Sequence, residues 1–457
     1  MTKKIFTDEE WNATKNNGTF CPAPFFSYYI DTNNKLSACC IQNAGNNKFA
    51  PDIIAGVPLK ETYNHQNFVE MRRDLVAGVK NKQCERCWMN EEIETRSMRH
   101  GMLAWMHEWS GAEEYVRNAI TEEHTVEEPV IHYIDIRFDN TCNLRCRTCF
   151  SHYSTSWYPE EKEYITQFPE KKYQLAQPIQ FTSANVTVDE LKGNLTTAKR
   201  IYFAGGEPLI TPQHYEILQF LIDTGRTDVD LYYNTNFSKL THSKFDVIEY
   251  WKKFERVCIG ASLDGNHERG EYIRKNISWD KVIENRERMI AEVPHVRFLI
   301  SSTVSIMNVY NILDFHREWV EKKYIGPFDL NINLLFGPPA YNVKSLPEHH
   351  KEKLRVLYAE HIEWIKSFKP SYENRKNKHW FVDEFSSVLE PWLCIDGFVS
   401  VLNLLNQEPD PEWKNQWDKN QWLDIKRGED FYQVFPEFKD LQNIIVDYGY
   451  NKTTPTD

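Results

Sequence analysis

What this 457-residue sequence lacks narrows its function before any motif is considered. There is no long block of Lys or Arg, and the formal net charge of -12 runs opposite to the basic stripe with which a nucleic-acid binder meets phosphates. A basic partner or a neutral small substrate suits that balance better. Nor does any stretch approach the ~18 consecutive uncharged residues that argue for a membrane span. The opening residues turn acidic at Asp8-Glu9-Glu10 before an apolar run develops, so a cytoplasmic protein is expected. Internal repeats and low-complexity tracts are missing too, and the 41% of apolar residues suffices for real cores, which points to a globular chain with one large domain and one or two smaller ones. The uneven spread of the ten cysteines argues against a disulfide framework. Cys21, Cys39, Cys40, Cys84 and Cys87 crowd the first hundred residues, Cys142, Cys146 and Cys149 follow, and Cys258 and Cys394 stand alone, which favours metal ligation in a large chain of this kind.

Three regions separate along the chain, with the acidic, Pro-containing stretch 121–129 as the clearest boundary: 1–125, 130–336 and 337–457. The first is small and cysteine-rich, with short strand-like runs and a helix-like segment at 67–77 that ends at Gly78. The second repeats strand, loop and helix, the signature of a parallel α/β sheet. Its six strand candidates are 131–138, 200–204, 229–233, 256–262, 296–304 and 328–336. The third is expected to be mostly helical, with its Trp residues (Trp392, Trp413, Trp417, Trp422) read as packing, because no basic groove accompanies them. Cys258 and Cys394 read as buried small hydrophobes.

The chemically loaded residues of the second region fall just after strand ends, the ligand-binding face of parallel sheets and barrels. After the first strand comes Cys142-Asn143-Leu144-Arg145-Cys146-Arg147-Thr148-Cys149. Three thiolates in one loop can hold three corners of a 4Fe-4S cube and leave one iron open to a ligand. The alternatives are a zinc knuckle with a remote fourth ligand such as His152, or a fully ligated electron-transfer cluster completed by Cys258. Arg145 and Arg147 are either solvated charges or cations that raise the potential of an anionic cluster and meet a carboxylate. After the second strand comes Gly205-Gly206-Glu207-Pro208. Two glycines permit close backbone approach, and Glu207 offers an acceptor to an ammonium.

This pair of motifs resembles the radical S-adenosylmethionine superfamily, in which the spacing C-x3-C-x2-C follows the first strand of a partial (β/α)6 TIM-like barrel. The resemblance implies that Cys142, Cys146 and Cys149 hold the cluster and that Gly205, Gly206, Glu207 and Pro208 receive the methionine amino group of S-adenosylmethionine. It also implies that Asn234 and Asn236 lie near that cofactor, that Ser262 and Asp264 approach its ribose, and that Arg274 meets its carboxylate. Thr148 stands where an aromatic residue usually packs on the adenine, a place Phe150 or Phe203 could fill. The implied chemistry is reductive cleavage to a 5'-deoxyadenosyl radical, fed by an electron donor such as a flavodoxin or ferredoxin.

Among the N-terminal cysteines, Cys21, Cys84, Cys87 and one of the neighbouring Cys39 and Cys40 could ligate a second 4Fe-4S cluster, with zinc as the alternative occupant. Neighbours on an extended strand face opposite sides, so only one of Cys39 and Cys40 should ligate. The region resembles the SPASM and twitch auxiliary-cluster domains, whose G-x4-C element places the ligand at Cys39 with Asn34 in the glycine position. Those domains usually follow the barrel; here the region precedes it, as in twitch-containing proteins of tailed phages and some bacteria, which also end in a segment like Phe435-Pro436-Glu437-Phe438. The resemblance implies a peptide or protein side chain as substrate, with a sugar or nucleotide-derived small molecule as the alternative. An iron-sulfur electron carrier or zinc-stabilised interaction protein is the non-catalytic alternative.

Overall fold

The computed structural model describes residues 6–32, 35–42, 59–92, 96–169, 188–368, 391–409, 413 and 417–442. Asn34 lies outside the described residues. At the centre is one eight-stranded sheet: β1 (Ser27–Ile30), β2 (Leu36–Ser37), β3 (Tyr133–Ile136), β4 (Arg200–Phe203), β5 (Asp230–Thr235), β6 (Val257–Ala261), β7 (Arg297–Val304) and β8 (Leu330–Leu334). The spatial order is β8-β7-β6-β5-β4-β3-β1-β2. All six expected strands are present and lie side by side in chain order, every pair parallel. Helices fill the crossovers, as parallel pairing requires. They start where the sequence offers caps: Asp246 accepts from the Ile248 amide ahead of Val247–Trp251, Ser278 accepts from the Lys281 amide ahead of Trp279–Glu292, and Pro212 occupies the first position of Pro212–Asp223.

Pleating decides what faces where. Ile201, Phe203, Leu231 and Tyr233 are fully buried, whereas their neighbours Tyr202, Tyr232 and Asn234 on the opposite face are half-buried. That second face is covered by the N-terminal helices Glu85–Glu92 and Met98–Glu108 and by the helix Pro391–Leu405, which together with the strands enclose a cavity of about 680 Å³. Gly397 allows the close approach of Pro391–Leu405 to β8, since a Cβ there would sit 3.1 Å from the Ile332 Cβ.

The N-terminal region does not stand apart as a separate unit. β1 pairs in parallel with β3, in register Ser27 with Tyr133 through Ile30 with Ile136, and β2 adds antiparallel to β1. The boundary expected near 125–130 therefore falls inside one hydrogen-bonded sheet. The expected helix at 67–77 is Gln66–Val76, stopped by Gly78 at φ +78°. Beyond the sheet, the described C-terminal residues are helical: Glu348–Lys366, Pro391–Leu405, Asp418–Arg427 and short turns at 431–434 and 436–438. Trp417 is fully buried and the Trp422 indole donates to Gln167, so these rings pack as expected; the side chain of Trp392 lies outside the described residues. Among the described residues, no helix is long and apolar enough to cross a membrane.

Candidate functional site

The cysteine loop hangs from the C-terminal end of β3. It is braced by a two-residue ribbon in which Arg145-Cys146 pairs antiparallel with Arg274-Lys275, placing Arg274 opposite Cys146. The Gly205-Gly206 turn at the end of β4 docks on its first residues: the Gly206 amide donates to the Asp139 carbonyl at 3.2 Å and the Glu207 amide to the Thr141 carbonyl at 2.8 Å. Gly205 has φ +116°. A Cβ on Gly206 would overlap the Asn140–Thr141 backbone. A Cβ on Gly205 would likewise crowd Arg137 and the Asp139 carbonyl, so both glycines let the turn pack on the segment that leads into the cysteine loop.

The ends of β5 and β6 complete the ring around the thiols. Glu207 is buried; its Oε1 accepts from Thr235 Oγ1 at 2.6 Å and from the Leu209 amide at 3.0 Å, and its Oε2 accepts from the Asn236 amide at 2.7 Å. Burial holds this carboxyl above its ordinary range against the pull of those donors. Both oxygens serve the turn after β5, so Glu207 ties the ends of β4 and β5 together. Asn236 Nδ2 donates to Cys142 Sγ at 3.7 Å and to Asn143 Oδ1 at 3.0 Å. Asn234 lies over β6, where only Gly260 leaves it room, a Cβ there falling 2.8 Å from Asn234 Oδ1. Ser262 is half-buried, its amide donating to the Thr235 carbonyl at 2.7 Å, while buried Asp264 pairs with Arg274 at 2.8 Å and accepts from the Thr303 amide. Arg274 Nη1 reaches Cys146 Sγ at 3.7 Å. Pro208 is buried at the start of a short 3₁₀ turn. Thus Gly205, Gly206, Glu207, Pro208, Asn236, Asp264 and Arg274 gather at the loop, Asn234 and Ser262 lie at the neighbouring ends of β5 and β6, and Thr235 and Asn143, not singled out from the sequence, join them. The N-T-N run after a strand was the available signal for Thr235.

Some expectations change. Phe203 is buried on the helix side against His214 and Tyr233, so it cannot cover an adenine at the loop; Phe150 is 43% exposed at the rim. Cys258 sits mid-strand, with Arg297 and Arg200 as its charged neighbours rather than the loop thiols, which removes it as a fourth ligand. His152 stacks on Phe150. Arg147 is neither solvated nor turned to the thiols. Its guanidinium is fully buried over the Tyr272 ring, paired with Asp424 at 2.6 Å and Glu429 at 2.5 Å from the C-terminal segment. Arg145 pairs with Glu160, which Arg427 also holds.

The N-terminal cysteines also converge. Cys21, Cys39, Cys84 and Cys87 line one enclosed apolar cavity with Met71, Leu75, Met98, Arg99 and Met102. Cys40 turns the other way and its thiol hydrogen-bonds Asp135 beside Arg137; the pair lies in the turn after β2 rather than on an extended strand, and it is these opposite directions that favour Cys39. Burial and the neighbouring thiols push Cys21 up to about 12, and Cys142 likewise to about 12. Such thiols stay protonated in neutral water unless a cation displaces the proton, which is the chemistry of a ligand set.

Spacing bears on which metal fits. Tetrahedral zinc with Zn–S bonds near 2.3 Å brings thiolates to about 3.8 Å of one another. Among the described residues, the trio of His, Cys, Asp or Glu donors whose ligand atoms all lie within 4.8 Å is His349, His350 and Asp440, so neither cysteine set is gathered tightly enough for three thiolates on one zinc ion. A cluster, which holds its cysteines at separate corners, fits both sets better.

No family model matches the sequence. The chain is 30% identical over 197 residues to the GTP 3',8-cyclase of Campylobacter curvus (strain 525.92), over 41% of this chain and 52% of that protein, so it spans about half the length of this curated relative. Solved structures with some likeness include native anSMEcpe with bound AdoMet and Kp18Cys peptide, at 17% identity and TM-score 0.36 over 50% of this chain and 60% of that one. Another is Streptococcus suis SuiB bound to S-adenosylmethionine, at 13% identity and TM-score 0.35 over 66% of this chain and 64% of that one.

Proposed function

We propose that this chain is a radical S-adenosylmethionine enzyme with a second, auxiliary iron-sulfur cluster. The observation that carries the proposal is the convergence on Cys142 and Cys146 of side chains from the ends of β5 and β6 and of Arg274, with the Gly205-Gly206 turn packed on the same loop. A 4Fe-4S cluster held by three cysteines, with S-adenosylmethionine at its open iron, supplies reductive cleavage to a 5'-deoxyadenosyl radical. Cys142, Cys146 and Cys149 would hold that cluster. Arg274 keeps a fixed cation beside Cys146, Asn236 donates toward Cys142, and Glu207 fixes the turn that carries Asn236. Cys21, Cys39, Cys84 and Cys87 would hold the second cluster. The large cavity adjoins it, since Ile41 and Met98 line both, and we take that cavity as a substrate chamber on the auxiliary-cluster side, none of its described lining residues belonging to the 142–149 loop. Its volume lies in the range of small-molecule sites.

A modified peptide or protein side chain is the first substrate class, and the tyrosines, asparagines and Arg86 of the chamber suit an extended polar chain. The similarity to a GTP 3',8-cyclase favours a second reading, a nucleotide-derived small molecule. Anaerobic reconstitution, reduction with dithionite and addition of S-adenosylmethionine tests the core proposal. The expected result is 5'-deoxyadenosine, abolished in Cys146→Ala while the N-terminal cluster persists. No 5'-deoxyadenosine from protein with both clusters intact would refute it.

A further inference from the structure

Three side chains outside the cysteine sites form a separate donor set. His349 and His350 open the helix Glu348–Lys366, and Asp440 follows the Pro436–Phe438 turn. His349 Nε2 lies 2.7 Å from Asp440 Oδ2, and His350 Nε2 lies 3.1 Å from the same oxygen. We propose that these three residues bind a divalent transition-metal ion of the zinc class, which fastens the C-terminal segment to this helix.

Two imidazoles and a carboxylate are a zinc-type donor set, and bonds of 2.0–2.2 Å put ligand atoms about 3.4 Å apart in a tetrahedron. The His350–Asp440 spacing needs to open by about 0.3 Å and the His349–Asp440 spacing by about 0.7 Å. A further polar contact orients a ligand: His350 Nδ1 lies 2.9 Å from Tyr310 Oη, and with its proton donated there, Nε2 is left with a lone pair. His350 is buried, while His349 and Asp440 are exposed enough to admit an ion and leave a coordination position for water. The ammonium of Lys353 over the Tyr310 ring is the one nearby charge, among the described contacts of that ring, that opposes a cation. The competing account is a carboxylate that simply accepts from two imidazole N–H groups.

Zinc uptake by the reconstituted protein, with iron in its cysteine sites, separates the two accounts. Equilibrium dialysis against Zn²⁺ should show one saturable ion per chain in the wild type that His349→Ala loses. Tyr310→Phe should bind that ion roughly tenfold or more weakly, the usual effect of removing a hydrogen bond to a metal-ligating histidine. Zinc should also raise the melting temperature of the wild type and leave that of His349→Ala unchanged. Because the compared chains carry identical cysteines, zinc captured at thiols cancels in the difference. Equal zinc binding by wild type and His349→Ala would overturn the proposal, whatever the outcome for radical chemistry.

Discussion

Gly206 lies against Thr141 with no room for a side chain: a Cβ would come within 2.6 Å of the Thr141 carbonyl carbon and 2.7 Å of the Asn140 carbon. Backbone atoms on both sides cannot swing away. Gly206→Ala should therefore push the turn off the cysteine loop, destabilising the fold by about 1–3 kcal/mol, as overpacking does. Iron at the loop should fall while iron at the N-terminal cysteines stays. A Gly206→Ala protein with wild-type iron content and melting temperature would show that the loop does not depend on this contact.

The opposite orientations of Cys39 and Cys40 give a paired test. Cys39→Ser should lose about four of roughly eight irons per chain, the content of one 4Fe-4S site. Cys40→Ser should keep them, because that thiol faces Asp135. Equal losses from the two variants would contradict the assignment.

Arg147 holds the C-terminal segment on the cysteine loop through two carboxylates. Arg147→Ala leaves Asp424 and Glu429 facing a vacated buried position, a change that removes about 3–5 kcal/mol when one partner of a buried pair is deleted. Lys should rescue poorly, since a single ammonium cannot reproduce the planar fork stacked over Tyr272. Limited proteolysis should cut the segment 418–442 faster in both variants; unchanged cleavage would mean that other contacts carry the docking.

Three buried histidines make stability depend on pH in a stated direction. Burial lowers His214 and His316 to about 3 and His361 to about 2, well below the ordinary 6.5. The folded state thus takes up protons on them later than the unfolded chain. Their contribution is fully present above pH 6.5 and is lost as pH falls below it, at about 1.4 kcal/mol per unit for each group. Unfolding midpoints in urea should drop between pH 7 and 5.5, and His214→Leu should flatten that slope. A slope that His214→Leu leaves unchanged would rule this histidine out as a source.

The six parallel strands were legible because each is a short apolar run between turn residues, and the two cysteine sets because their thiols are grouped at short spacings along the chain. What escaped was long-range. Nothing local to 27–30 announces that it will pair with 133–136, since parallel pairing leaves no turn signal between partners. Arg147 could be read only as a charge beside cysteines; its acid partner Asp424 is 277 residues away. The glycine pair was recognised, but its packing against Asn140 and Thr141 was not, because sequence shows that a Cβ is missing and not which neighbour crowds its place. Cys39 and Cys40 are chemically identical in sequence, and the directions their side chains take in the turn after β2 separate them.

The parallel pairing of β1 with β3 also orders events during synthesis. Ser27–Ile30 leaves the ribosome long before Tyr133–Ile136 exists, so the edge on which β1 rests is missing when Cys21, Cys39, Cys84 and Cys87 have already been made. The residues that line their cavity, Cys21 to Met102, are made by then, but β1 gains its neighbour in the sheet only when the first strand of the repeating region arrives. A nascent chain arrested before residue 133 should therefore leave them open to alkylation, and extension past 136 should close them.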